Sequence, residues 1–489
     1  MSDRLFEHPA DQSAEAKVPP AKHCKRFIEV RGRDQLCFET RCTEDFVPED
    51  ASVRAIDEIM DRLDYSGFEQ RYPGGGRPAW RPQLLAKILL FAYSEGIRSA
   101  REISRLLERD LHLMWLAHEQ HIGHQRLSEF RRLFEAELAE LFKQTVRLAL
   151  EMGVTTLGLV AIDGSKIAAN ARRSTLDAEG LERAIQRVLA EAEAVDAAED
   201  AELGEARGDE LPEELGKRHQ RLEKLQQAQR ALAASGQKRV SVTDPEAPVQ
   251  KIGRDKRPGY NAQFAVDRES GVVVAQDVTD AQQDNEQLGP MVERVMENTG
   301  FKPQASVADT GYESADNLRS AEELEVEAYL AQQQRPPSDR IEQDDFGYDA
   351  ECDEFLCPAG KRLTYRGEHH RRGQRQRVYA TRRADCRGCE LRERCLSPSL
   401  EHRRLYVAEH AQLRRQMKRR LETADGAQAM HCRGPTVEPA FGVLKSVLGL
   451  RQFLLRGLAG ARVELTLAAT ALNLRKLARA RQATGAAAC

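Results

Sequence analysis

Near residue 155 the spacing of apolar residues changes, and with it the kind of structure the chain can form. Up to that point apolar residues recur every three or four positions, in VRAIDEIMDRL, LLAKILLFAYSEG, AREISRLLERDLHLMWLA and LSEFRRLFEAELAELFKQTVRLALEMG. That is the period of amphipathic helices. Turn signals at Tyr72-Pro73-Gly74-Gly75-Gly76 and His121-Ile122-Gly123-His124 divide them. Short helices joined by tight turns suit a helix-turn-helix DNA reader and a plain helical bundle alike. Then LGLVAIDGSKIAAN, from Leu157 to Asn170, closes up into a short run rich in β-branched residues. It reads as a buried strand with Asp163 at its end and Gly164 after it.

Beyond this strand the period alternates again. Leu181, Ile185, Val188, Ala192 and Val195 step by four and three, as do Leu215, Leu222, Leu225 and Leu232 with a polar member between. The acidic DAAEDAELGEARGDELPEE separates them, which predicts an antiparallel, coiled-coil-like helical hairpin over 174–236. In PGYNAQFAVDRESGVVVAQDVTD two alternating runs flank Asp267-Arg268-Glu269-Ser270-Gly271, a β-hairpin signal. Helix DNEQLGPMVERVMENTG, strand QASVADTGYES, helix SADNLRSAEELE and strand VEAYLA follow. One strand, a hairpin, then alternating helices and strands describe a mixed α/β sheet, not an all-parallel one. From Gly434 the chain is helical again through VEPAFGVLKSVLGL and VELTLAATALNLRKLARAR.

Composition narrows the function classes. The 489 residues suffice for about three domains at roughly 150 residues each. With 41% hydrophobic and 31% charged residues, the chain is neither disordered nor fibrous. No apolar run reaches the roughly 18–20 residues of a membrane span. The opening MSDRLFEHPADQ lacks a basic stretch followed by an apolar core, so a cytoplasmic location is expected. Residues 1–35 read as a loose polar tail. The net charge of −4 hides an asymmetry: residues 361–420 hold 19 Lys and Arg against 6 Asp and Glu, a local +13, and the rest of the chain carries −17. Such a stretch is either a phosphate-binding surface or a solvated basic face.

Three carboxylates stand at element boundaries beside distinctive strings: Asp163 in AIDGSK, Asp309 in VADTGYES, and Glu438 opening a helix in VEPAFGVLK. Strand ends of an α/β sheet project side chains into a cleft, where Asp163 and Asp309 can meet. Clustered carboxylates repel one another unless a divalent cation lies between them, and hard oxygen donors suit Mg²⁺ or Mn²⁺. A helix N-cap or a surface acid is the plain alternative for each. Asp277, Asp280 and Asp284 near a strand end are candidates either to touch the site or to act as turn and cap residues, the second being the plainer reading. Arg126 and Arg131, near Ser128, are further candidates for phosphate contacts. Within the basic stretch, Cys357, Cys386, Cys389 and Cys395 include one CxxC, a signal for structural Zn²⁺ or else for reduced free thiols. Zinc would fold a small ribbon that has little apolar content of its own.

DGSKIAANARRS after a strand, PGYNAQFAVD with VVVAQDVTDAQQDNEQL, ADTGYES and VEPAFGVLK together resemble bacterial insertion-sequence transposases of the DDE type. The resemblance runs from about Cys37 to about Ala480 and takes in the N-terminal helices. It implies a ribonuclease-H-like catalytic domain over 155–480, interrupted by 174–236 and 335–420, after a helical DNA-binding domain over 36–150. It implies that Asp163, Asp309 and Glu438 hold two Mg²⁺ or Mn²⁺ ions, that DNA is cut at transposon ends and joined to target DNA, and that a dimer assembles on DNA. The family pattern Y-x2-R-x3-E-x6-K places Lys445 as a DNA-phosphate contact, with His431 at the tyrosine position, Gly434 at the arginine position and Arg433 one residue early. Arg371, Arg372, Arg375 and Arg377 are the expected phosphate contacts of the basic stretch. A nuclease without strand transfer and a domesticated, non-catalytic DNA-binding protein are the rival readings.

Overall fold

In the computed structural model, residues 42–72, 79–203, 213–332, 339–371, 374–408 and 410–487 are described. The expected tail, Pro73 to Gly76 of the first turn, residues 204–212 of the acidic stretch and Arg372 lie outside them. The three-to-four spacing becomes helices Ser52–Asp61, Pro82–Ser94, Ala100–Leu106, Leu111–Leu116, His124–Leu133 and Glu135–Glu151. Two of the long periodic runs break. Asp110 leaves helical geometry and caps the next helix, accepting the Leu113 N–H at 2.9 Å. Phe134 (φ −116°, ψ 40°) interrupts the other run, and its ring packs among Phe68, Tyr72 and Phe130.

The first sheet is mixed. Its strands are β1 (Leu159–Ala168), β2 (Val249–Ile252), β3 (Asp255–Asp267), β4 (Val273–Thr279), β5 (Ala305–Ala308) and β6 (Glu327–Leu330). The order is β2-β3-β1-β5-β6, with β4 also on β3. Strand β3 runs antiparallel to β1 and β4, whereas β5 is parallel to β1 and β6. The β3–β4 turn is the expected hairpin: Asp267 Oδ2 accepts from the Ser270 N–H at 3.0 Å and its hydroxyl at 2.7 Å, and Gly271 takes φ +64°. Between β1 and β2, helices Ala178–Leu203 and Glu213–Ser235 bury Leu181, Ile185, Val188, Leu225 and Leu232 together.

The basic stretch forms a second sheet, β7 (Gly347–Asp349), β8 (Glu354–Leu356), β9 (Arg362–Arg371), β10 (Gln374–Ala380) and β11 (Arg404–Ala408), each antiparallel to its neighbour in chain order. It has more of a core than the ribbon expected from its sequence. Ile341, Phe346, Phe355, Leu363, Tyr379, Leu405 and Val407 are buried together, contributed mainly by alternate positions of paired strands. Helix Ala411–Leu421 leads back to the first sheet, where buried Met417 packs. The last helix, Gly457–Ala487, lies against β4 and against helices Ser52–Asp61, Pro82–Ser94 and Glu135–Glu151. One continuous buried cluster therefore runs from Val47 to Ala478. Among the described residues no helix is long and apolar enough to cross a membrane.

Candidate active site

Strand β1 does not stop at Asp163 as its sequence suggests. It continues through Gly164 to Ala168, paired with β3 from Val160↔Asp267 to Ala168↔Gly259. What ends near Asp163 is the other neighbour: the last parallel pair of β1 and β5 is Ile162↔Ala308. Asp163 and Asp309 are thus each one residue past that pair, on strands spaced about 4.8 Å apart. Beyond Ala308 the chain leaves the sheet in a 3-10 turn, Thr310–Tyr312, whose N–H of Gly311 bonds Asp309 Oδ1 at 2.8 Å.

Helix Ala424–Ser446 lies across this end of the sheet, against β1, β3 and β5. It begins ten residues before Gly434, with Thr423 Oγ1 accepting the Gly426 N–H at 3.1 Å. Glu438 therefore sits inside a helix, not at its start. Pro435 and Pro439 are accommodated within it, although their rings deprive the carbonyls of His431 and Pro435 of helical partners. Stacking of Phe441 on Phe264, with centroids 4.9 Å apart, fixes the helix to the sheet. The side chain of Arg433 reaches Asp163, with Nη1 3.5 Å from Oδ2. Lys445 donates to the hydroxyl of Ser165, two residues along β1 from Asp163. Glu438 is exposed. One turn before it Gly434 leaves room, since a Cβ there would lie 3.0 Å from Glu438 Oε1. His431 is exposed.

The electrostatics of this end are those of crowded acid. Burial first, then the neighbouring Asp309, push the Asp163 carboxyl up to about 6, against the opposing pull of the Gly164 N–H and Arg433. Burial lowers the Lys445 ammonium while Asp163 raises it. A third acid reaches this end. Asp284, which the sequence offers as a site contact or a turn residue, adds its charge to Asp163 from the other face of β1. Its Oδ1 accepts from Asn261 Nδ2 at 2.7 Å and Gln263 Nε2 at 2.6 Å, and buried Tyr312 donates to Gln263 Oε1. Asn261 and Gln263 are visible in PGYNAQFAVD as polar residues at every second position of an apolar strand. Asp277 instead pairs with Arg294 at 2.8 Å and Arg462 at 3.2 Å.

The donors at this end suit a divalent cation in kind. They are hard oxygens that repel one another, and Asn261 Oδ1 is buried without a partner among the described residues. Among the described residues, however, no group of three or more His, Cys, Asp or Glu is gathered closely enough to hold a metal ion. Asp163, Asp309 and Glu438 therefore do not form such a group in this arrangement. Nor do the cysteines. Cys357, Cys386, Cys389 and Cys395 line one small cavity with Ile341, Thr381 and Arg403, as free thiols. Cys357 Sγ accepts the Lys361 N–H at 3.2 Å, and Cys386 lies 3.1 Å from Thr381 Oγ1. Burial pushes the Cys395 thiol up, and the other three cysteines add to the rise against Arg403.

The other basic candidates diverge. Arg131 is 4% exposed and donates to Tyr93 Oη and the Arg98 carbonyl, both at 3.0 Å, so its guanidinium is engaged within the core. Arg126 is exposed beside Glu129 at 3.2 Å. On the β9–β10 hairpin, Arg375 pairs with Glu368. Arg377 pairs with Asp353 and lies 4.7 Å and 5.4 Å from the ring centroids of Tyr365 and Tyr379. Arg371 ends β9.

Two family models match the chain. One described as "Transposase DDE domain" covers residues 356–478, and one described as "Transposase domain (DUF772)" covers residues 41–133. The first spans most of the second sheet, all four cysteines, Arg433, Glu438 and Lys445, and stops short of β1 and β5. The second spans the N-terminal helices as far as Leu133. No curated protein and no solved structure matches the chain.

Proposed function

We propose, from the chain's membership of the insertion-sequence transposases of the DDE type, that it cuts DNA at the ends of its element and joins those ends to target DNA. The reading rests above all on the register that sets Asp163 beside Asp309 beneath the helix of Arg433, Glu438 and Lys445. The mixed sheet is then a ribonuclease-H-like catalytic domain, with Asp163, Asp309 and Glu438 as its catalytic carboxylates. Two Mg²⁺ or Mn²⁺ ions held by them would activate the attacking oxygen and stabilise the leaving one in an in-line displacement. Arg433 partly neutralises Asp163 and keeps the crowded end folded. Lys445, anchored on Ser165, presents an ammonium where a phosphate approaches. Water attacks the phosphodiester first, and the strand leaves as a free 3′-hydroxyl. That hydroxyl then attacks a phosphodiester of the target, forming a new P–O bond as the target's own 3′-oxygen leaves. The basic second sheet supplies phosphate contacts, and a dimer brings two ends together.

The test is a DNA duplex carrying the element's end sequence, incubated with Mg²⁺ and a target plasmid. Wild-type protein should yield cleaved and joined products. Asp163→Asn, Asp309→Asn and Glu438→Gln should each abolish both while binding the duplex as before, since neutral isosteres keep shape and lose charge. Strong cleavage by any one variant removes that residue from the set. Cleavage without joining would make the protein a nuclease, and binding alone would make it a non-catalytic DNA-binding protein.

The four cysteines around one cavity are proposed as a structural Zn²⁺ site. Protein purified without chelators should carry about one equivalent of zinc, and Cys386→Ser or Cys389→Ser should release it. Elemental analysis finding none would remove zinc from the account.

A further inference from the structure

We infer that the DNA backbone runs through a groove on the outer face of the second sheet, walled by Arg366, Arg383, Arg404 and His402. The inference rests on the reading that the basic segment meets DNA, and it says which face does so. Along β10 and β11, Tyr379, Leu405 and Val407 point into the small core, so Val378, Ala380, Arg404 and Tyr406 point the other way. On β9 the pairing shifts from Tyr365↔Tyr379 to Gly367↔Val378, which leaves Arg366 as an extra residue. Such a bulge redirects a side chain, and Arg366 lines the outer groove, whose volume is about 530 Å³.

The two faces differ in what their cations have to do. Arg377, on the inner face, is already engaged by Asp353 and two tyrosine rings. In the groove the cations converge. Burial lowers the His402 imidazolium, and Arg404, Arg383 and Arg366 lower it further, with Glu401 opposing them. Two acids temper this charge: Glu401, through its 3.0 Å pair with Arg383, and Glu368, which also lines the groove and is held by Arg375. Arg366 has no acidic partner among the described residues. Like charges held around one cavity raise its positive potential, and a bound anion relieves it. Guanidinium forks match phosphate oxygens. Tyr406, 42% exposed, and His369, with ring centroids 5.2 Å apart, give the groove an aromatic floor suited to sugar or base.

A fluorescein-labelled DNA duplex of arbitrary sequence, titrated with full-length protein over a series of NaCl concentrations, tests this by anisotropy. The variant Arg366→Gln/Arg383→Gln/Arg404→Gln should lower the slope of log K against log salt by up to roughly 3, about 0.9 for each phosphate that the protein no longer neutralises. The comparison variant Arg371→Gln/Arg372→Gln/Arg375→Gln should leave it near wild type. A slope lowered by the comparison variant alone would overturn the groove and leave the basic segment as a DNA surface. Slopes unchanged in both would overturn the groove together with that reading. Arg366→Glu alone, at an exposed position, guards against misfolding of the triple variant. It should weaken binding with an unchanged thermal transition, and wild-type affinity in this variant would count against the groove.

Discussion

Gly164 separates two groups of polar side chains that approach β1 from opposite faces. Asp163 and Ser165 turn toward the helix that bears Arg433 and Lys445. On the other side a Cβ at Gly164 would lie 2.4 Å from Gln263 Nε2, 2.6 Å from Asp284 Oδ1 and 3.0 Å from Asn261 Oδ1. These are ends of side chains, but they cannot swing away freely. Gln263 and Asn261 are 0% and 1% exposed, and both are bonded to Asp284. Gly164→Ala should therefore overpack the site and cost about 1–3 kcal/mol, read as a lower urea midpoint at unchanged m. Asp284→Ala should give back part of that loss in the double variant, because the two changes compete for one space. Strict additivity, or an Ala variant as stable as wild type, would show that the network has room to move. The string AIDGSK marks Asp163 in the sequence, but there Gly164 looks like a strand terminator. Its partners lie about a hundred residues downstream, and only the β1–β3 register makes them neighbours.

At the scale of elements, the second sheet shows how a segment rich in charge can still close a core. Asp353 (φ +51°), between β7 and β8, accepts hydrogen bonds from Tyr348 Oη at 2.8 Å, Tyr379 Oη at 2.7 Å and Arg377. Burial pushes its carboxyl up, but the bonds from Tyr379, Tyr348 and Arg377 outweigh this and hold it below the usual carboxylate range. A depressed pKa in the folded state means stability that is present above the ordinary aspartate value and lost as pH falls through the folded one. Thermal unfolding followed by tyrosine fluorescence should therefore show the sheet weakening below about pH 4. Asp353→Asn should be less stable at pH 7 and lose less on acidification. Equal acid sensitivity in variant and wild type would place the titrating group elsewhere. Helices and strands were largely legible from apolar spacing, whereas their interruptions were not. Asp110 and Phe134 break runs whose period continues unbroken, because capping and ring packing decide there. Conversely, Pro435 and Pro439 suggest a late helix start, yet packing of Phe441 on Phe264 carries the helix through them.

Across the whole molecule, the last helix joins what the sequence presents as separate regions. Its apolar spacing announces a helix but not its partners, and those are the N-terminal helices on one side and β4 on another. Among the described residues two ion pairs cross this junction: Arg481 with Glu58 at 2.6 Å, both half-exposed, and a second that is buried. Arg98, just before helix Ala100–Leu106, pairs with Glu464, whose side chain is 0% exposed, and also donates to the carbonyls of Gly449 at 2.7 Å and Gln452 at 3.2 Å. Glu464 Oε2 in turn accepts the N–H groups of Leu454 at 2.7 Å and Leu455 at 3.2 Å. Burial raises the Glu464 carboxyl, while Arg98 and these N–H groups pull it back down. Removing Arg98 leaves a buried carboxylate without its cation. Arg98→Ala should therefore cost about 3–5 kcal/mol at pH 7. With the cation gone, the folded pKa of Glu464 rises further, so the variant's deficit is fully present above that pKa and shrinks as pH falls and the acid takes up a proton. Adding Glu464→Gln should recover much of the loss at pH 7 and remove its pH dependence, since a neutral amide still accepts the two backbone N–H groups. Because the link ties the N-terminal helices to the last helix, Arg98→Ala should also expose the junction, read as faster amide exchange in Pro82–Ser94 and Gly457–Ala487 together. A deficit in Arg98→Ala that is the same at pH 5 and pH 7, or exchange that rises in one helix alone, would mean that the junction is held by apolar packing and the ion pair is incidental to it.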